Sequence, residues 1–194
     1  TLIGSATIKI TDNAKTFNDV ISDNWSADSI AFVSSHELFN GVGNGIFERT
    51  ATMNRGMLMT VLYRLEGQPD TAGSDVSFDD VPSDAFYADA VKWGVKMGII
   101  KGTDDGFNAE SAITRQDLAV FLYRYAGTQG ISSTDISGYS DVADVADYAQ
   151  NALSWAVANG IINGTGAGLA PTGSATREQV AAMMTRLVQN VINN

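Results

Sequence analysis

Phe17-Asn18-Asp19-Val20, Phe78-Asp79-Asp80-Val81 and Tyr139-Ser140-Asp141-Val142 are one phrase written three times, with its aspartates 61 residues apart. Each copy runs on through a Gly-rich loop and closes on a polar residue followed by arginine: Asn54-Arg55, Thr114-Arg115 and Thr176-Arg177. Self-similarity at one long period decides the architecture before any single residue does. The 194 residues therefore read as one body of three like units, 16–70, 77–130 and 138–190. A unit of about 55 residues buries only a modest share of its surface, so mutual packing is expected to supply much of the core.

The second copy shows the local pattern best. After the Pro82-Ser83-Asp84 turn, Ala90, Val91, Trp93, Gly94 and Met97 fall near helical spacing, and Gly98 stands where the helix should end. Residues 101–107 form a turn-rich loop. Thr114 reads as an N-cap with Asp117 in capping-box position, ahead of an apolar stripe of Leu118, Phe121, Leu122 and Tyr125 that Gly127 closes. The third copy repeats this with Ala152, Leu153, Trp155 and Gly160, then Val180, Met184 and Leu187. The first has Phe32 for tryptophan, Glu37 for glycine and Asn54 for threonine, and asparagine keeps the cap chemistry. Each unit is thus helix, loop, helix, and the fold is expected to be all-α.

Residues 1–15 stand outside the copies. Ala6, Ile8 and Ile10 alternate with polar neighbours, a short extended segment that suits a linker or the end of a preceding domain. The connectors 68–77 and 128–138 are polar linkers. No run is long enough to span a membrane, and the absence of cysteine excludes disulfides, thiolate metal sites and cysteine nucleophiles. A formal net charge of −10 opposes bulk attraction to nucleic acid or an anionic membrane, so an anionic partner must be held by local cations.

In order, Phe78-Asp79-Asp80-Val81, Trp93, Gly98-Ile99-Ile100, Gly102, Gly106-Phe107 and Ile113-Thr114-Arg115-Gln116 resemble the S-layer homology (SLH) motif, over about residues 17–188. The resemblance implies a pseudo-threefold helical body with grooves between neighbouring repeats. It implies a monomeric module of a larger exported protein, which attaches that protein to a bacterial cell wall. The partner so implied is a secondary wall polysaccharide ending in an anionic, often pyruvylated, amino sugar. Nucleic acid, membrane insertion and cofactors are not part of that expectation. The rival is a protein-interaction or oligomerisation scaffold, whose grooves receive another chain. Repeat one lacks the threonine and the tryptophan, and residues 164–169 lack the acidic pair and the aromatic of repeat two, so the grooves need not be equivalent.

Several residues are candidates for the groove. Arg55, Arg115 and Arg177 each follow a helix cap, where a cation opposes the partial positive charge of the helix start at a cost of roughly 0.3–1 kcal/mol. A ligand carboxylate there would meet a guanidinium fork together with unpaired helix amides. Alternatively each arginine pairs with an acid of the next repeat, such as Asp19, Asp80 or Asp141. Those aspartates suit a structural, groove-framing role. Asn54, Thr114 and Thr176 sit beside the arginines. Trp93 and Trp155 suit either the core or a sugar platform. Gly41, Gly102 and Gly164 suit a positive φ or a close ligand approach. Lys101, with Lys92 and Lys96, gives repeat two a positive face that a solvated helix surface would also explain. Repeat two therefore looks like the source of the strongest groove.

Enzymatic signatures are missing. His36 is the lone histidine, no Gly-x-Ser-x-Gly elbow occurs, and Gly41-Val42-Gly43-Asn44-Gly45 lacks the third glycine of a dinucleotide loop. Asp104-Asp105-Gly106 lacks the ligand alternation and the closing glutamate of a calcium loop, so no metal site is expected.

Overall fold

The second helix of every repeat packs against the first helix of the next, so the units are interlocked rather than lined up. The computed structural model describes residues 15–73, 78–102, 105–127, 129–130, 132–166 and 168–193. The short segment expected at residues 6–11, and loop residues Thr103 and Asp104, lie outside these. Among the described residues the fold is all-α, with six α-helices: α1 (Ala27–Ser35), α2 (Arg55–Leu65), α3 (Ala88–Lys96), α4 (Arg115–Ala126), α5 (Gln150–Ala158) and α6 (Arg177–Leu187). Short 3-10 turns at Val142–Asp144 and Asp147–Ala149 precede α5, and a π turn (Val188–Ile192) extends α6. The pairs are α2 with α3, α4 with α5, and α6 back onto α1, which closes the ring.

The sequence places these helices by local chemistry. The side chains of Asn54, Thr114 and Thr176 accept from the amides of Met57, Asp117 and Gln179, as N-caps do. Gly127 ends α4 in the left-handed region at φ 57°. Gly98 and Gly160 do the same after α3 and α5 (φ 73° and 65°), while in repeat one Glu37 must adopt φ 58°. One detail differs from expectation. The reciprocal half of the capping box forms at Thr176–Gln179. At Thr114 only the cap bond forms, and the carboxylate of Asp117 turns into a groove instead.

A closed triangle of backbone hydrogen bonds marks the pseudo-threefold axis. Met53 N–H donates to the Ala175 carbonyl, Ala175 N–H to Ile113, and Ile113 N–H to Met53, at 3.0, 2.9 and 2.9 Å. All three residues are buried, and buried amides need partners, so each repeat satisfies a donor that another repeat provides. The seams differ in detail. Trp93 of α3 meets Tyr63 of α2, and Trp155 of α5 meets Tyr123 of α4, with ring centroids 5.8 and 5.4 Å apart. At the closing seam the tyrosine position is Thr185, which bonds the Ser29 carbonyl, and buried Glu178 accepts from Ser26 Oγ and Arg49 Nη1 at 2.9 and 3.1 Å.

Candidate functional site

Each repeated arginine reaches across to the neighbouring repeat's loop. Nε of Arg55 donates to the Phe107 carbonyl, that of Arg115 to Leu169 and that of Arg177 to Phe47, at 2.9, 2.8 and 2.7 Å. The loop it meets is shaped by the repeated aspartate. Asp19 accepts from the amides of Phe47 and Glu48, Asp80 from Phe107 and Asn108, and Asp141 from Leu169 and Ala170. In each pair the second residue takes a left-handed conformation, with φ between 49° and 58°. The aspartates thus frame the loops as capping groups. Ion pairs between Arg55, Arg115 or Arg177 and these aspartates do not form among the described residues.

The first helix amides are not available to a ligand, contrary to expectation. Arg55 and Gly56 donate theirs to Ser111 and Ala109, Arg115 and Gln116 to Gly173 and Pro171, and Arg177 and Glu178 to Ala51 and Arg49. The third amide of each helix is held by its cap. The helix starts are consumed in joining repeats, and this explains why a cation is tolerated there. The tryptophans also correct an expectation. Trp155 is fully buried with its indole N–H on the Gln129 carbonyl, and Trp93 lies among Tyr63 and Tyr125, so both belong to the core.

The glycines answer to the motif aromatic. A Cβ on Gly102, which sits at φ 68°, would stand 2.5 Å from the Phe78 ring, and one on Gly41 would stand 2.7 Å from Phe17. Gly164 has the Gly168 carbonyl at 2.8 Å and Tyr139 behind it. These residues let the phenylalanine or tyrosine of each opening phrase lie against the loop backbone.

Among the described residues, three grooves each draw on all three repeats. The Arg55 groove, about 540 Å³, is lined by Lys101, Gly102, Asp117, Arg124 and Tyr148. The Arg115 groove, about 260 Å³, has Asn163, Gly164, Gln179, Arg186 and Trp25 at the equivalent places. The Arg177 groove, about 160 Å³, has Asn40, Met57, Arg64 and Phe86. The features of repeat two are thereby divided. Arg115 crosses into repeat three's loop, while Lys101 and Gly102 serve the groove of Arg55. Lys92 pairs with Asp89 and is not in the lining.

Two sets of lining residues escaped sequence reading. Arg64, Arg124 and Arg186 donate Nη1 to the carbonyls of Leu38, Ile99 and Ile161, which points each guanidinium beside a cap arginine of the preceding repeat in the ring. Their recurrence near the end of every second helix was a signal. Trp25, Phe86 and Tyr148, each two residues before the first helix, are 59%, 64% and 60% exposed. Nothing in their local sequence says that each overhangs a groove between the two other repeats.

The electrostatics are cationic against an acidic whole. Arg115 and Arg177 are only 4% and 8% exposed. Burial first, and then the neighbouring Arg186, pull the Arg115 guanidinium below its ordinary value. Burial and Arg55 act alike on Arg124. In the Arg55 groove a carboxylate intervenes. Asp117 lies 3.5 Å from Arg55 Nη1 and accepts the Tyr148 hydroxyl at 2.7 Å. Burial and that hydrogen bond push the Tyr148 phenol up to about 12. Converging guanidinium groups beside an exposed ring can grip a carboxylate and cover an apolar sugar face.

An S-layer homology domain model matches residues 16–56, 77–119 and 138–181, and the chain belongs to that family. Three such domains in tandem make it a cell-surface module for anchoring to the cell wall. It is 32% identical, over 90% of its length, to 10% of an amylopullulanase from Thermoanaerobacterium thermosulfurigenes. It is 29% identical over 92% of its length to 17% of the exoglucanase XynX from Acetivibrio thermocellus. It is also 29% identical over 98% of its length to 16% of the surface-layer 125 kDa protein of Lysinibacillus sphaericus. The chain thus spans between 10% and 17% of the length of these curated relatives. Among the described residues no helix is long and apolar enough to cross a membrane.

Proposed function

We propose that this chain holds a larger exported protein to a bacterial cell wall by gripping an anionic secondary wall polysaccharide, with a pyruvylated terminal sugar, in its inter-repeat grooves. The Arg115 groove carries this reading. Arg115 and Arg186 converge there beside the exposed ring of Trp25, and among the described residues no carboxylate lines the groove. A pyruvyl carboxylate would neutralise the guanidinium pair, while the ring receives the C–H face of the pyranose. The candidate ligand residues are then Arg115 with Arg186 and Trp25, the corresponding Arg55 with Arg124 and Lys101, Arg177 with Arg64, and the loop backbone at Gly102 and Gly164, whereas the caps Asn54, Thr114 and Thr176 and Gly41 stand outside these linings. The module binds as a monomer and makes or breaks no bond.

The test is sedimentation of the purified protein with wall sacculi before and after acid release of the secondary polysaccharide. Binding that disappears with the polymer, and that Arg186→Gln and Trp25→Ala each weaken by roughly tenfold, supports the reading. Retention by bare peptidoglycan would refute it. Capture of only another surface protein would favour an interaction scaffold.

A further inference from the structure

The three grooves share their arginine pair but differ in the groups around it: Lys101, Asn163 and Asn40 stand before the loop glycines, the overhanging ring changes, and the third residue of the second helix alone brings in a carboxylate. That third residue is Asp117 in the Arg55 groove, Gln179 in the Arg115 groove and Met57 in the Arg177 groove. Two of the three guanidinium nitrogens of Arg55 have partners, one of them a carboxylate. Its Nε is on the Phe107 carbonyl, its Nη1 is 3.5 Å from Asp117, and Phe107 and Phe121 lie with ring centroids 5.0 Å from its guanidinium carbon. Tyr148 donates to Asp117 from the far wall and holds the carboxylate in place. Arg115 and Arg177 have no carboxylate within ion-pair distance among the described residues.

We infer that Asp117 is a specificity-determining residue, a built-in counter-ion that bars carboxylated sugar from the Arg55 groove and leaves it to uncharged sugar units. The anionic ends go to the Arg115 and Arg177 grooves; this division rests on the polysaccharide reading above. A second carboxylate brought to Arg55 would face Asp117 across the same guanidinium, and like charges at such range oppose one another strongly. The Arg55 groove is also the largest of the three, room for a longer neutral stretch of chain.

The side-chain Nε–H signals of the three cap arginines in the intact chain give the test, with two probes. Sodium pyruvate reports carboxylate access alone, and a pyruvylated amino-sugar methyl glycoside reports sugar binding. In the parent, pyruvate should shift Arg115 and Arg177 but not Arg55. Asp117→Asn, which keeps an acceptor for Tyr148, should bring Arg55 into the response at the pyruvate concentrations that shift Arg115 in the parent. The reciprocal Gln179→Asp should silence Arg115. The inference is overturned if Arg55 responds in the parent as Arg115 does, or stays silent in Asp117→Asn. If pyruvate behaves as expected but the glycoside moves no arginine in any variant, the wall-sugar reading fails while the role of Asp117 stands.

Discussion

Arg177 Nε donates to the carbonyl of Phe47 at 2.7 Å, joining residues 130 positions apart and tying the last repeat to the first. The same guanidinium donates Nη2 to Asn40 and lies 4.6 Å from the centroid of the Phe47 ring. One side chain therefore serves ring closure and groove wall together, and binding losses in its variants must be separated from unfolding.

Arg177→Lys should keep the charge yet lose one of the two carbonyls, because an ammonium cannot span both positions of the fork. The stability cost is about 1.5–3 kcal/mol, read from the urea midpoint at constant slope. An unchanged midpoint would mean that the planar fork is dispensable to closure.

Residues 78–127 expressed alone should remain poorly ordered. The fragment contains α3 and α4, whose packing partners are α2 and α5 of the other repeats. Circular dichroism during heating should show no cooperative transition, and a sharp one would contradict the interlocked packing.

Glu37→Gly should stabilise the protein. Glu37 is exposed and sits at φ 58°, where its counterparts Gly98 and Gly160 pay no Cβ penalty. The gain is about 0.5–1 kcal/mol after the larger unfolded-state entropy of glycine is counted. A lower melting temperature would show that the glutamate side chain has a role its exposure hides.

Acid should loosen the loops before it loosens the helices. Burial raises Asp19 and Asp80, but the loop amides outweigh it and hold both below the ordinary carboxylate value; for Asp141 the amide of Leu169 leads. A folded pKa below the unfolded one gives stability that is complete above the ordinary range and is lost as pH falls through the lowered values. Asp80→Asn should therefore melt below the parent at about pH 6, with the gap closing as the pH drops under the ordinary range near 3.8. A gap that stays constant with pH would remove the carboxylate from the account.

What the sequence determined by itself was everything short-ranged. The caps Asn54, Thr114 and Thr176, the terminators Gly98 and Gly127, and the framing aspartates act within their own repeats. Their chemistry repeats wherever the phrase repeats, so one copy explains the others. Tertiary structure decided which repeat each side chain serves. Arg115 leaves its own loop for that of repeat three, Lys101 joins Arg55, and Trp25 overhangs a groove of the other two repeats. It also decided that the helix amides face neighbouring carbonyls and that Asp117 meets Arg55 instead of completing its cap. The reason is physical: periodicity records which face of a helix is apolar, while the partner that covers it is set by ring closure between segments far apart in the chain.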